Sequence, residues 1–264
     1  MNNITGNRNK KRNIKMILEY DGSGYAGWQR LGAVAKKRPI QSVVEECLSS
    51  CLGENIKVIG SGRTDAGVHA LGQAANFHCE TEFSFSELLQ ELNKRLPEDI
   101  RVLRLNEADM DFHSRYSAKG KTYEYRIAQG EVQPVFTRKY TLHVPEPLDL
   151  TAMKKASEYL LGTHDFKAFS TDRKDGKSTV RTIDGIQIVK INPLYNKPYE
   201  EIRIAITGDG FLYNMVRIII GTLIETGKGI RQPEDMVKVL ESKDRQQAGI
   251  TVSSQGLCLL NVRY

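Results

Sequence analysis

Alternating and helical runs of apolar residues predict an α+β chain, built as two successive halves on mostly antiparallel sheet. Three observations carry this. Ile14–Tyr20 and Thr122–Ile127 alternate as half-buried strands do. Amphipathic segments with recognisable end signals lie between strand-like runs. The second half then repeats the strand–helix–strand–helix–strand order of the first, without residue-level similarity.

In the first half, Ile14, Met16, Leu18 and Tyr20 share one strand face. Pro39 opens a helix with Ile40, Val43, Val44, Cys47, Leu48, Cys51 and Leu52 at helical spacing, closed by Gly53. Lys57–Ile59 and Gln73–His78 read as strands around a glycine-rich loop. Ser84 and Glu87 form a capping-box pattern for a helix stopped by Pro97, and Ile100–Leu105 reads as a further strand. In the second half, Tyr123, Tyr125 and Ile127 share a strand face, and Asp149 caps a helix running to Gly162. Ile186–Val189 and Ile202–Ile206 read as strands, and Phe211–Ile224 as a long apolar helix. Pro233 starts a surface helix and Leu257–Val262 makes a closing strand. The expected divisions are a flexible basic tail over 1–13, a first domain over 14–117 and a second over 118–264.

The 264 residues carry a net charge of +6, which favours a polyanionic partner. Four of those charges, Arg8, Lys10, Lys11 and Arg12, fall in the expected tail, so charge alone makes nucleic acid plausible and no more. No apolar run is long enough to span a bilayer, and the N-terminus is not apolar like a signal peptide. The four cysteines, at 47, 51, 79 and 258, form no CxxC or Cys/His ligand pattern, so neither a metal site nor a disulfide framework is expected. The chain reads as cytoplasmic.

The richest segment is Gly60-Ser61-Gly62-Arg63-Thr64-Asp65-Ala66-Gly67-Val68-His69. Its glycines allow a tight loop to present a charged pair. An ordinary glycine-rich turn fits the same letters, whereas a nucleotide-binding P-loop lacks its Gly-Lys-Ser/Thr. Arg217 is the one charged residue between Asp209 and Glu225, in a segment apolar nearly all round. Such a guanidinium needs a carboxylate if it is buried. A structural salt bridge or a snorkelling side chain satisfies that need, and so does Asp65, which Arg217 would hold ionised as a nucleophile requires. Tyr123, at a strand start, is either a core aromatic or a ring that stacks on a base.

With these residues in view, the chain resembles the TruA family of tRNA pseudouridine synthases. The motifs that carry the resemblance run in order: Tyr20-Asp21-Gly22 to Gly27-Trp28-Gln29, Ile40-Gln41, Gly62 to Ala70, His113-Ser114-Arg115-Tyr116-Ser117-Ala118 and Lys121-Thr122-Tyr123. Gly162 to Phe169, Phe211-Leu212 to Met215-Val216-Arg217 and Gly256-Leu257 follow. The resemblance implies two ferredoxin-like (RRM-like) halves joined into a continuous sheet around a central basic cleft, and a homodimer holding tRNA across both subunits. By position, Asp65 matches the family's catalytic aspartate, Arg63 the arginine that displaces the target nucleotide, Tyr123 the tyrosine packing on its base, and Arg217 the aspartate's partner. One departure is Thr251-Val252-Ser253-Ser254-Gln255-Gly256, where prolines are usual, which predicts a loosened loop.

The implied reaction isomerises uridine to pseudouridine in the anticodon stem-loop, at tRNA positions 38, 39 and/or 40. An isomerisation supplies no atom or electron, so no cofactor is expected. Two other functions fit the same loop: a catalytically silent tRNA-binding protein, and an aspartate-dependent hydrolase that releases free uracil.

Overall fold

The computed structural model describes residues 11–29, 37–171, 178–191 and 198–264. They fall into two compact units that divide between Ala118 and Lys119.

In the first unit, strand β1 (Lys11–Tyr20) is central and antiparallel to both β3 (His69–Glu80) and β4 (Ile100–Ala108), and short β2 (Val58–Gly60) pairs with β3. The alternation read from the sequence sets the core. Ile14, Met16 and Leu18 are fully buried, as are Ile40 and Leu48 of α1 (Ile40–Leu52) and Leu88 of α2 (Phe85–Arg95). Each such side chain contributes about 1.5–3 kcal/mol on burial. The Ser84 box closes as expected: its hydroxyl accepts the Glu87 N–H while Glu87 accepts the Ser84 N–H. Gly53, at φ 71°, ends α1 in the left-handed region.

One boundary differs from expectation. Lys11–Asn13, assigned to the tail, belong to β1, opposite Glu80, Cys79 and His78, and the Arg12 guanidinium donates to Glu107 at 2.7 Å. Their strand identity comes from pairing with distant segments, which local polarity does not report. The rest of the expected tail, with Arg8 and Lys10, lies outside the described residues.

In the second unit the strand order is β10-β5-β9-β8-β7, antiparallel throughout, with β6 (Leu142–Val144) parallel to β5. The strands are β5 (Gly120–Gln129), β7 (Gly162–Asp165), β8 (Val180–Ile191), β9 (Glu200–Gly208) and β10 (Leu257–Arg263). Three helices complete it: α3 (Leu150–Glu158), α4 (Met215–Gly227) and α5 (Asp235–Ser242). Helix α4 is buried almost all round, as its composition requires. It starts later than expected because Asn214 sits at φ 61°, a conformation that cannot continue an α-helix, so Leu212–Met215 form a preceding turn, closed by the Met215 N–H on the Leu212 carbonyl. Gly162 opens β7 at φ 90° and does not close α3. Among the described residues no helix is long and apolar enough to cross a membrane.

Candidate active site

In the first unit, the loop between β2 and β3 is locked from three sides. Its stem is held by the Ser61 N–H on the Ala74 carbonyl (2.8 Å) and by Gln73, which accepts from the Ser61 hydroxyl (2.8 Å) and donates to the Gly62 carbonyl (3.1 Å). Its tip is a turn in which the Val68 N–H donates to the Asp65 carbonyl (3.1 Å), with Gly67 at φ 79°, an angle that favours glycine. The third side is the segment before α1. The Trp28 N–H donates to the Thr64 carbonyl (3.0 Å), and the Tyr20 hydroxyl is 2.8 Å from the Thr64 hydroxyl in a buried pair. Gly27 presses so closely that a Cβ there would lie 2.3 Å from the Thr64 carbonyl oxygen.

This construction presents Asp65 half-buried and Arg63 exposed on the same loop. Arg63 is oriented by its Nε, which donates to Gln29 Oε1 at 2.6 Å. The motif ending in Gln29 and the motif containing Asp65 are thus one structural assembly. Its end is closed by His69, buried, whose Nδ1 accepts the Gly22 N–H at 3.1 Å and lies 3.2 Å from Asp21 Oδ1.

In the second unit, Tyr123 lies in β5 between Ile206 of β9 and Leu259 of β10. It is buried, and its ring meets Phe211 edge-on with centroids 5.4 Å apart. Arg217, on the first turn of α4, is half-buried. Its Nε donates to the Val252 carbonyl (2.7 Å) and one terminal nitrogen to Asn214 Oδ1 (2.8 Å). Asn214 in turn donates to the Thr171 hydroxyl (2.8 Å). Next to Val252, Ser253 offers its carbonyl to the Tyr125 hydroxyl (2.7 Å), and burial first of all pushes that phenol up to about 12.

The segment 251–256 is therefore not the loosened loop that its missing prolines predicted. Arg217, Tyr125, the Arg245 bond to the Thr251 hydroxyl (3.0 Å) and the Gln255 bond to the Thr141 carbonyl (2.9 Å) all fix it. Sequence reasoning missed Gln29, Phe211, Asn214 and His69 as supporting residues. Each lies in or beside a motif already singled out; Gln29, Phe211 and His69 have partners distant in the chain, and Asn214 reaches Arg217 three residues on only through its left-handed backbone.

A family model described as tRNA pseudouridine synthase matches residues 16–117 and 156–264. The chain is 46% identical over 252 residues to tRNA pseudouridine synthase A of Bacillus sp. (strain KSM-64), covering 96% of this chain and 99% of the relative. It is 41% identical over 253 residues to the protein of that name in Acetivibrio thermocellus, covering 96% and 100%. The Clostridium kluyveri protein of that name is 45% identical over 254 residues, with the same coverage.

Proposed function

From the premise that this chain belongs to the tRNA pseudouridine synthase family, and so is an isomerase acting on tRNA, we propose that it converts uridine in the anticodon stem-loop, at positions 38, 39 and/or 40, with Asp65 as nucleophile. The observation that carries this reading is the locked loop: Asp65 held half-buried at the tip of a turn, two residues from an exposed, oriented Arg63.

In the reaction the N1–C1′ glycosidic bond breaks and a C5–C1′ bond forms, while C5 loses a proton and N1 gains one. A stacked nucleotide is out of reach of a loop carboxylate, so the uridine is flipped out, at about a few kcal/mol. Arg63 occupies the vacated space and holds backbone phosphate. Tyr123 packs on the uracil and retains it between cleavage and rejoining; the edge-on contact with Phe211 limits the ring orientations open to it. Arg217 pairs with Asp65 and keeps it ionised. A guanidinium has five N–H donors in a fixed fork, and the bonds to Val252 and Asn214 orient that fork. The working form is a homodimer that holds one tRNA across both subunits.

Release of tritium from C5-labelled uridine in tRNA tests the assignment. Asp65→Asn is expected to bind tRNA and release no tritium; release at the wild-type rate would remove Asp65 from the mechanism. Chromatography of the wild-type products separates an isomerase from a hydrolase, which yields free uracil, and from a silent binder, which leaves the RNA unchanged.

A further inference from the structure

Beyond β4, the first unit builds a rigid turn that the proposed chemistry does not use. Two fully buried amides hold it. Asn13 Nδ2 donates to the carbonyls of Asp109 (2.7 Å) and Phe112 (2.9 Å), Asn76 Nδ2 donates to Asn13 Oδ1 (2.9 Å), and Asn76 Oδ1 accepts the Ser114 N–H (2.9 Å). Burying amides is costly unless their bonds are made, so this network spends sheet interior on fixing one turn. Inside the turn, His113 Nδ1 accepts the N–H groups of Arg115 (3.2 Å) and Tyr116 (3.3 Å), and the Ser117 N–H donates to the His113 carbonyl (2.9 Å). The imidazole lies against the Tyr116 ring, with centroids 4.2 Å apart and planes tilted by 30°. Tyr116 nonetheless remains 80% exposed, with Arg115 exposed beside it.

An aromatic ring fixed on one side by an imidazole and open on the other, next to a guanidinium, suits a nucleobase and its phosphate. The acids of the turn, Asp109 and Asp111, lie on its first limb; the second limb, 113–119, carries Arg115 and Lys119 and no acid. We infer that Tyr116 and Arg115 form a second RNA contact, Tyr116 stacking on an unpaired base and Arg115 taking phosphate, on the same tRNA that the proposed function assigns. Asn76, which anchors the turn, lies along β3 from His69, at the end of the Asp65 loop. At about 3.3 Å per residue that separation is roughly 23 Å. The anchor of the contact is therefore well removed along the strand from the end of the Asp65 loop.

Binding of an unmodified tRNA transcript to wild type, Tyr116→Ala, Tyr116→Phe and Arg115→Gln tests this. Tyr116→Ala should weaken affinity about tenfold or more and Tyr116→Phe by less than about threefold, since stacking needs the ring and not the hydroxyl. Arg115→Gln should lower the slope of log affinity against log salt by about one. Tyr116→Ala binding as tightly as wild type, with an unchanged circular dichroism spectrum, overturns the inference. So does a change of oligomeric state on sedimentation at unaltered RNA affinity, which would make this a protein–protein surface. Wild-type isomerisation of the same transcript keeps the two readings apart. A wild type that binds but does not isomerise sinks the proposed function alone, and an active wild type indifferent to Tyr116 sinks the second contact alone.

Discussion

Gly27→Ala would perturb the loop that carries Asp65 through backbone alone. Gly27 is at φ +93°, and an added Cβ would lie 2.3 Å from the Thr64 carbonyl oxygen and 2.8 Å from the Asp65 carbonyl carbon. Ordinary contact begins at 3.4 Å, so something must retreat by about 1 Å. The Gly27 side is poorly placed to move. Its carbonyl accepts the Ile40 N–H that starts α1, and Trp28 is buried, with its indole against Gly60, where a Cβ would lie 2.4 Å from the indole nitrogen. The displacement therefore passes to Thr64 and Asp65.

A misplacement of about 1 Å at a reacting group costs roughly 100-fold in rate. In stability, the left-handed angle costs about 1–2 kcal/mol and the overlap about 1–3 kcal/mol. Gly53→Ala is the control, because Gly53 is at φ +71° with nothing within 4 Å of its would-be Cβ, so it carries the angular cost without the overlap. Tritium release in a single turnover at saturating tRNA, with thermal unfolding alongside, should show Gly53→Ala less stable but as fast as wild type, and Gly27→Ala deficient in both. A Gly27→Ala rate within about threefold of wild type, or an equal rate loss in Gly53→Ala, would refute the reasoning.

Two further outcomes concern the second unit. Gly221→Ala places a Cβ 1.9 Å from the Ile250 carbonyl oxygen, in a segment held by the Gly249 and Ile250 N–H bonds to Thr222 and Glu225 of α4. It should lower stability by about 3 kcal/mol in urea unfolding, and an unchanged midpoint would show that the segment yields freely. The Thr179 hydroxyl first, and Lys243 after it, hold the Asp165 carboxyl below the usual carboxylate range. A depressed folded pKa stabilises above the unfolded value of about 3.9, and the gain fades as pH falls through the folded value. The stability deficit of Thr179→Val should accordingly be present above about pH 4 and shrink in stronger acid; a deficit that does not change with pH contradicts the assignment.

What the sequence disclosed was whatever local chemistry decides. The Ser84 box, the Gly53 stop and the alternating faces of β1 and β5 each depend on neighbours a few residues apart, and each is where the letters place it. Short β6 and β7 and the start of β1 exist by pairing with remote strands, so local propensity gives them no signal. Asn214 illustrates the same limit within a site: its left-handed angle moves the start of α4 and brings its side-chain oxygen to Arg217. Neither effect is encoded by periodicity. The Asp65 loop was legible as a loop because glycines mark it, but the Tyr20–Thr64 and Arg63–Gln29 bonds that lock it span long stretches of chain.

Arg217 shows how much of a side chain's setting composition leaves out. A guanidinium in an apolar helix was expected to require a carboxylate, on the assumption of full burial. It is half-buried, and a carbonyl and an amide already offset part of its desolvation. Those two bonds also fix the orientation of the guanidinium within the second unit. The same contacts account for the segment 251–256. Two of its ties run through the carbonyls of Val252 and Ser253, and a proline retains its carbonyl. Exchanging prolines for Thr, Ser or Gln there leaves those acceptors in place, so one of the two bonds on the fork of Arg217, that to Val252, comes from a feature of the backbone that side-chain identity does not reveal, while the other needs the Asn214 side chain.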